Sequence, residues 1–256
     1  MVAVALGLVY AGTMPFALLV LGVALVMSWE WGRLIRGVES DAAFGVHMMA
    51  VAIAVALGAV GSPVLALMVL IAGALAVFPL AIGHKARLSA AGVIYAGLPA
   101  VALLWLRHDA SLGFAAVVFL FLVVWSTDTM AFVFGRMVGG AKLWPAVSPN
   151  KTWAGFIGGI ASSAALSALY AQLIPGASGM RLAWIGLLLA IVAQGGDLAE
   201  SALKRGFGVK DASHLIPGHG GVMDRMDGFV AVAISAALLA IAVNAKAPAA
   251  ALLLGG

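Results

Sequence analysis

Between Ser201 and Asp227 the chain gathers Lys204, Arg205, Lys210, Asp211, Asp224, Arg225 and Asp227, with Asp197 and Glu200 just ahead of them. The whole sequence holds only ten acidic residues, so half of them fall between Asp197 and Asp227. Carboxylates bind hard divalent cations, and lysine and arginine meet phosphate oxygens. Both signs of charge in one place point to a phosphorylated substrate handled with a metal ion. Asp197, Glu200, Ser201 and Lys204 are spaced i, i+3, i+4, i+7, which is one face of a helix. That face reads as a carboxylate holding a cation with Lys204 nearby for phosphate; a purely structural Asp/Glu–Lys ion pair is the alternative.

Three further groups carry polar chemistry. Pro217-Gly-His-Gly-Gly221 precedes Asp224-Arg-Met-Asp227. Glycines bring backbone N–H groups close to a phosphate, and His219, Gly220 and Gly221 read as its lining. Asp224 and Asp227, three apart at a helix start, would share a face and ligate Mg²⁺, while Arg225 offers a bidentate phosphate contact. A glycine turn before a helix start favoured by acids is the competing reading. Asn150, Lys151 and Thr152 open another helix, where orphan N–H groups and the dipole favour an anion; a helix start with one lysine is the plainer account. Asp128, a lone acid in an apolar run, needs a partner: a metal, a metal ligand beside it, or a cation in the packing. Asp211 and Glu200 stay unassigned. His214 and His219 are off the i, i+4 spacing of helical zinc ligands, and with no cysteine a zinc site is disfavoured. Trp29-Glu30-Trp31 fits an interfacial aromatic belt.

The elements that must carry these residues are membrane helices. The chain is 64% hydrophobic and 9% charged, far from the charge content of a soluble domain. Apolar runs long enough to cross a bilayer occur at 14–31, 44–60, 64–82, 90–106, 112–134, 153–174, 182–200 and 228–254. Residues 2–11 are apolar but too short, and read as a half-span or the remnant of a ninth helix. The expected fold is all-α and polytopic, a single integral membrane domain with amino-terminal helices to residue 110 and catalytic helices and loops from 111. Eleven of the fourteen Lys and Arg residues lie in loops of one parity, and only Arg107, Arg181 and Lys246 in the other. The positive-inside rule makes the rich face cytoplasmic, with the loops 135–152 and 201–227 on it. Basic residues in short separate loops, rather than on one continuous face, exclude a nucleic-acid binder.

The segment Ser201 to Asp227 resembles the signature of phosphatidate cytidylyltransferases, also called CDP-diacylglycerol synthases. Ser201, Lys204, Arg205, Lys210, Asp211, Pro217, His219, Gly220, Gly221, Asp224, Arg225 and Asp227 fill its fixed positions. Gly196-Asp-Leu-Ala-Glu-Ser201, Ser148-Pro-Asn-Lys-Thr-Trp153 and the Trp-Glu-Trp element are similar to family segments. Ala154 departs from it, standing where many members carry a polar residue. The resemblance implies transfer of a cytidylyl group from CTP to phosphatidate, Mg²⁺ on Asp197 and Asp224 with Asp227 in support, and a second cation that could share them. It implies Lys204, Arg205, Lys210 and Arg225 on the triphosphate and lipid head, Ser201 in the substrate site, and a homodimer in the inner membrane.

Two rivals compete. Asp224-x-x-Asp227-Gly-x-x-Ala231 looks like the opening of a CDP-alcohol phosphotransferase motif, but Val232 stands where Arg is needed and no acid follows Asp227. An ion-coupled transporter would use Asp128 and Asp197, and would show broken helices in two related halves; charge here gathers at one face and no repeat is evident. Another membrane nucleotidyl- or phosphotransferase acting on a lipid phosphate remains the nearest alternative.

Overall fold

The structure is a computed structural model that describes residues 2–37, 40–83, 85–218 and 220–255. Eight of its helices are long and apolar enough to cross a membrane. They are α2 (Thr13–Arg36), α3 (Ala42–Ala59), α4 (Pro63–Leu80), α5 (Ala86–Arg107), α6 (Gly113–Met137), α7 (Trp153–Tyr170, extended by a 3₁₀ turn to Leu173), α8 (Gly179–Gly206) and α9 (Met223–Asn244). Two short helices flank them, α1 (Val2–Ala11) and α10 (Pro248–Leu253). The eight expected spans are all present, with ends moved by local chemistry.

The largest shift is at the last span. The apolar run 228–254 is not one helix. Asn244 Oδ1 accepts from the Lys246 amide at 3.0 Å, and Pro248 then starts α10. An Asx turn followed by a proline ends the hydrogen-bond ladder, although the side chains beyond are still apolar. At its other end α9 begins at Met223, five residues ahead of the apolar run, for a reason given below.

The chain folds as two compact units. The first comprises residues 1–110 and 206–226. In it α3, α4 and α5 pack on one another and α2 packs on α3 and α5. Trp31 of α2 is buried, donates from Nε1 to the Leu88 carbonyl at 2.8 Å, and lies 4.6 Å from the Tyr95 ring. It is therefore a packing residue within the unit and not a member of an interfacial belt. At ten residues α1 is about 15 Å long, half a bilayer core. Arg107 at the end of α5 holds it, donating from Nε and Nη2 to the Val9 carbonyl.

The second unit comprises residues 111–205 and 227–256. Helices α6 and α7 pack closely because α7 presents glycine: a Cβ on Gly155 would lie 2.6 Å from the Ala131 carbonyl, and one on Gly159 2.8 Å from that of Thr127. Small residues of this kind let membrane helices approach. Between α6 and α7 an element not expected from the sequence appears. Strands β1 (Lys142–Trp144) and β2 (Ser148–Thr152) form an antiparallel hairpin, pairing Lys142 with Thr152 and Trp144 with Ser148. Pro145 and Pro149 lack the donor that would continue a helix, and a two-stranded ribbon has only edges, where proline is tolerated.

Candidate active site

The charged segment before α9 is built in the first unit around two carboxylates. Asp224 lies in the first turn of α9 and is buried. Its Oδ2 accepts from the Ala212 amide at 2.9 Å and the Gly221 amide at 2.8 Å, so one oxygen closes the loop 212–221 onto the helix start. Glu30 of α2 is fully buried. Its Oε1 accepts from Ser213 Oγ at 2.5 Å and the Val222 amide at 2.9 Å, and its Oε2 from the Met223 amide at 2.6 Å. The first amides of a helix have no partner within it; Glu30 supplies one, and a negative charge there suits the dipole. That is why α9 starts at Met223 rather than at the apolar run.

The paired glycines of the loop do different jobs. Gly220 has φ +76°, which glycine adopts without strain, and its carbonyl accepts from the Ile216 amide at 2.9 Å. A Cβ on Gly221 would lie 2.3 Å from Glu30 Oε1 and 2.8 Å from Ser213 Oγ. Only glycine lets the chain pass the Glu30 carboxylate this closely. The Gly221 amide, expected to line a phosphate path, is directed at Asp224 instead. His219 lies outside the described residues. Lys210 and Arg225 are exposed, and Asp211 is half-buried.

The second unit holds the rest. Asp197 and Ser201 share a face of α8 as their spacing requires, with Ser201 Oγ donating to Asp197 Oδ1 at 3.3 Å. The Lys151 ammonium, at the end of β2, pairs with Asp197 Oδ2. Thr152 is not turned outward for an anion: it caps α7, its hydroxyl oxygen accepting from the Gly155 amide at 3.1 Å. Asn150 is exposed on β2. Lys204, expected to reach phosphate, is buried and donates to Glu200 Oε1 at 3.0 Å. Arg205, one residue on, is exposed.

Helices α8 and α9 meet in this unit through glycine. A Cβ on Gly196 would lie 2.9 Å from both the Asp227 carbonyl oxygen and Ala231 Cβ, and one on Gly228 3.0 Å from the Ala193 carbonyl. Asp197 follows Gly196 in α8 and Asp227 precedes Gly228 in α9, so both carboxylates stand next to these contacts. Asp227 Oδ1 accepts from the Gly228 amide at 2.7 Å. Asp197, Glu200 and Asp128 all act on the Asp227 carboxylate electrostatically.

Asp227 thus lies within electrostatic range of three carboxylates, with Lys151 on Asp197 and Lys204 on Glu200, and hard oxygen donors of this kind suit a divalent cation. Among the described residues no three His, Asp or Glu groups stand together at metal-ligating spacing.

Sequence reasoning missed Glu30, which it left in an interfacial belt. The available signal was an ionisable residue inside an apolar run, which must find a partner; its partners lie 183 to 193 residues away in sequence.

A model of the cytidylyltransferase family matches residues 1–243. A phosphatidate cytidylyltransferase of Brucella abortus biovar 1 (strain 9-941) is 55% identical over 144 residues, covering 56% of this chain and 53% of that protein. One from Staphylococcus saprophyticus is 43% identical over 133 residues, covering 52% and 51%. One from Staphylococcus epidermidis (strain ATCC 35984) is 47% identical over 124 residues, covering 47% and 46%. The chain thus spans about half the length of the relatives it matches.

Proposed function

The chain belongs to the cytidylyltransferase family, and from that premise we propose that it transfers a cytidylyl group from CTP to phosphatidate, releasing pyrophosphate. The observation that carries this reading is the family match across residues 1–243. The signature residues from Ser201 to Asp227 lie within it.

A phosphate monoester has its second pKa near 6, so at neutral pH the lipid phosphate is mostly a dianion. One of its oxygens attacks the α-phosphorus of CTP, the bond from that phosphorus to the bridging oxygen breaks, and pyrophosphate leaves with the electron pair. No strong general base is needed. The protein must align two polyanions and neutralise them.

Asp197 and Asp227 would hold Mg²⁺, and a second cation could share them. A bound Mg²⁺ would offset charge on the triphosphate. Lys151 counters Asp197 and would exchange that contact for a phosphate oxygen. Arg205, Lys210 and Arg225, all exposed, would supply cations for the triphosphate and the lipid head. Asn150 and Ser201 add polar contacts. Lys204 acts through Glu200, keeping that buried carboxylate neutralised. The loop 212–221 has its Gly221 amide engaged by Asp224, so cationic side chains carry more of the phosphate binding than the glycine backbone does.

The positive-inside pattern supports a site at the cytoplasmic leaflet of the inner membrane, with the acyl chains left in the bilayer. The resemblance adds a homodimer to the proposal. The test is incubation of purified protein with α-labelled CTP and detergent-dispersed phosphatidate. Labelled lipid with stoichiometric pyrophosphate, dependent on Mg²⁺, is the expected result. Folded protein that labels no lipid would overturn the reading and turn attention to transport.

A further inference from the structure

We infer that Glu30 is a positioning residue for the reaction, the group that fixes the loop 212–222 and the start of α9 where the signature residues are needed. The inference rests on the reaction proposed above and adds to it a residue that lies far outside the signature in sequence. Glu30 sits in the second-last turn of α2, among helices whose other work is packing. Yet both its carboxylate oxygens are spent on the signature segment: Ser213 Oγ, the Val222 amide and the Met223 amide.

The arrangement is specific to a carboxylate. Three donors converge on two oxygens, and a buried site gives them no water as a substitute. A glutamine in the same place would offer one acceptor and turn two N–H groups toward donors. The loop is shaped around the carboxylate as well, because Gly221 leaves the room that a Cβ would fill at 2.3 Å from Glu30 Oε1. Asp224 then completes the clamp from the other side, holding Ala212 and Gly221. Arg225 follows directly, so its backbone is fixed by the same contacts. Removing the Glu30 charge releases the anchored end of this segment while leaving the helices of the unit in place. Gly221 and Glu30 are therefore one device: the glycine permits the approach, and the carboxylate makes use of it.

The test uses the full-length protein in detergent. Glu30→Gln keeps side-chain volume. It is expected to elute as wild type does, to melt somewhat lower because a buried donor loses its acceptor, to exchange the amide hydrogens of residues 212–223 faster, and to lose about 100-fold in kcat per folded molecule, the scale of a misplacement near 1 Å, with KM for CTP changed far less. Glu30→Asp keeps the charge and is expected to recover part of the lost rate; a residue that only stabilised the fold would alter melting and leave kcat per folded molecule alone. Gly221→Ala is the second variant, since it displaces the loop without removing the carboxylate, and it must raise exchange over the same amides. Wild-type exchange over 212–223 together with wild-type kcat in Glu30→Gln would overturn the inference; if that variant fails to fold, the same result in Gly221→Ala would do so. The exchange measurement needs no substrate, so it decides the clamp even if the wild-type protein forms no labelled lipid and the reaction itself is misassigned.

Discussion

Gly195 and Gly196 are adjacent, identical in type and both inside α8, yet the structure gives them opposite fates on substitution. Nothing lies within 4 Å of a Cβ built on Gly195. Alanine there gains only helix propensity, about 1 kcal/mol over glycine. A Cβ on Gly196 would stand 2.9 Å from Ala231 Cβ and 2.9 Å from the Asp227 carbonyl oxygen. Carbon contacts settle at about 3.5–4.0 Å, so α8 and α9 must part by roughly 0.6–1 Å to admit it. Overpacking of this kind costs about 1–3 kcal/mol. Set against the same propensity gain, Gly196→Ala should change stability by about 0–2 kcal/mol. Its effect on rate should be far larger, because the displaced backbone carries Asp227 away from Asp197, and a shift near 1 Å costs about 100-fold. The assay is the initial rate of CDP-diacylglycerol formation, normalised to the monodisperse fraction, beside the thermal midpoint in the same detergent. Gly195→Ala should keep the rate and melt slightly higher; Gly196→Ala should lose about two orders of magnitude in rate. Equal losses in both, or full activity in Gly196→Ala, would refute the reasoning that glycine contact between α8 and α9 sets the carboxylate spacing.

Other outcomes follow from the same geometry. Lys204→Met removes the cation that neutralises buried Glu200 and should destabilise by about 3–5 kcal/mol; the double variant with Glu200→Met should recover most of the thermal midpoint. Lys151→Gln breaks a partly exposed pair and should cost at most about 1 kcal/mol in melting, while raising KM for CTP and lowering the Mg²⁺ needed for half-maximal rate. Arg225→Gln and Lys210→Gln, both at exposed positions, should raise KM for CTP with the thermal midpoint unmoved. Chelation by EDTA should abolish lipid labelling, and added Mg²⁺ should restore it.

Hydropathy made the spans legible because each membrane crossing needs its own apolar run, and eight such runs became eight helices. It misjudged the ends, where polar side chains decide. Asn244 and Pro248 stop α9 within a run that stays apolar to Leu254, and Glu30 starts it ahead of the run. Charge density marked the segment 201–227 and spacing put Asp197, Glu200, Ser201 and Lys204 on one face of α8, but spacing could not say that Lys204 turns inward to Glu200. That choice depends on what packs over the helix. Glu30 was hidden for a related reason: its role lies in contacts across more than 180 residues, which no local pattern encodes. The hairpin before α7 was hidden by its two prolines, which read as loop and are tolerated at the edges of a two-stranded ribbon.

The proposed reaction requires that Asp197 and Asp227 hold a divalent cation together. Manganese titration of the purified protein followed by electron paramagnetic resonance counts the bound ion directly, with and without CTP. The prediction is saturable binding, strengthened by CTP, that is lost in Asp197→Asn and in Asp227→Asn and kept in Gly195→Ala. Undiminished manganese binding in either asparagine variant would contradict it.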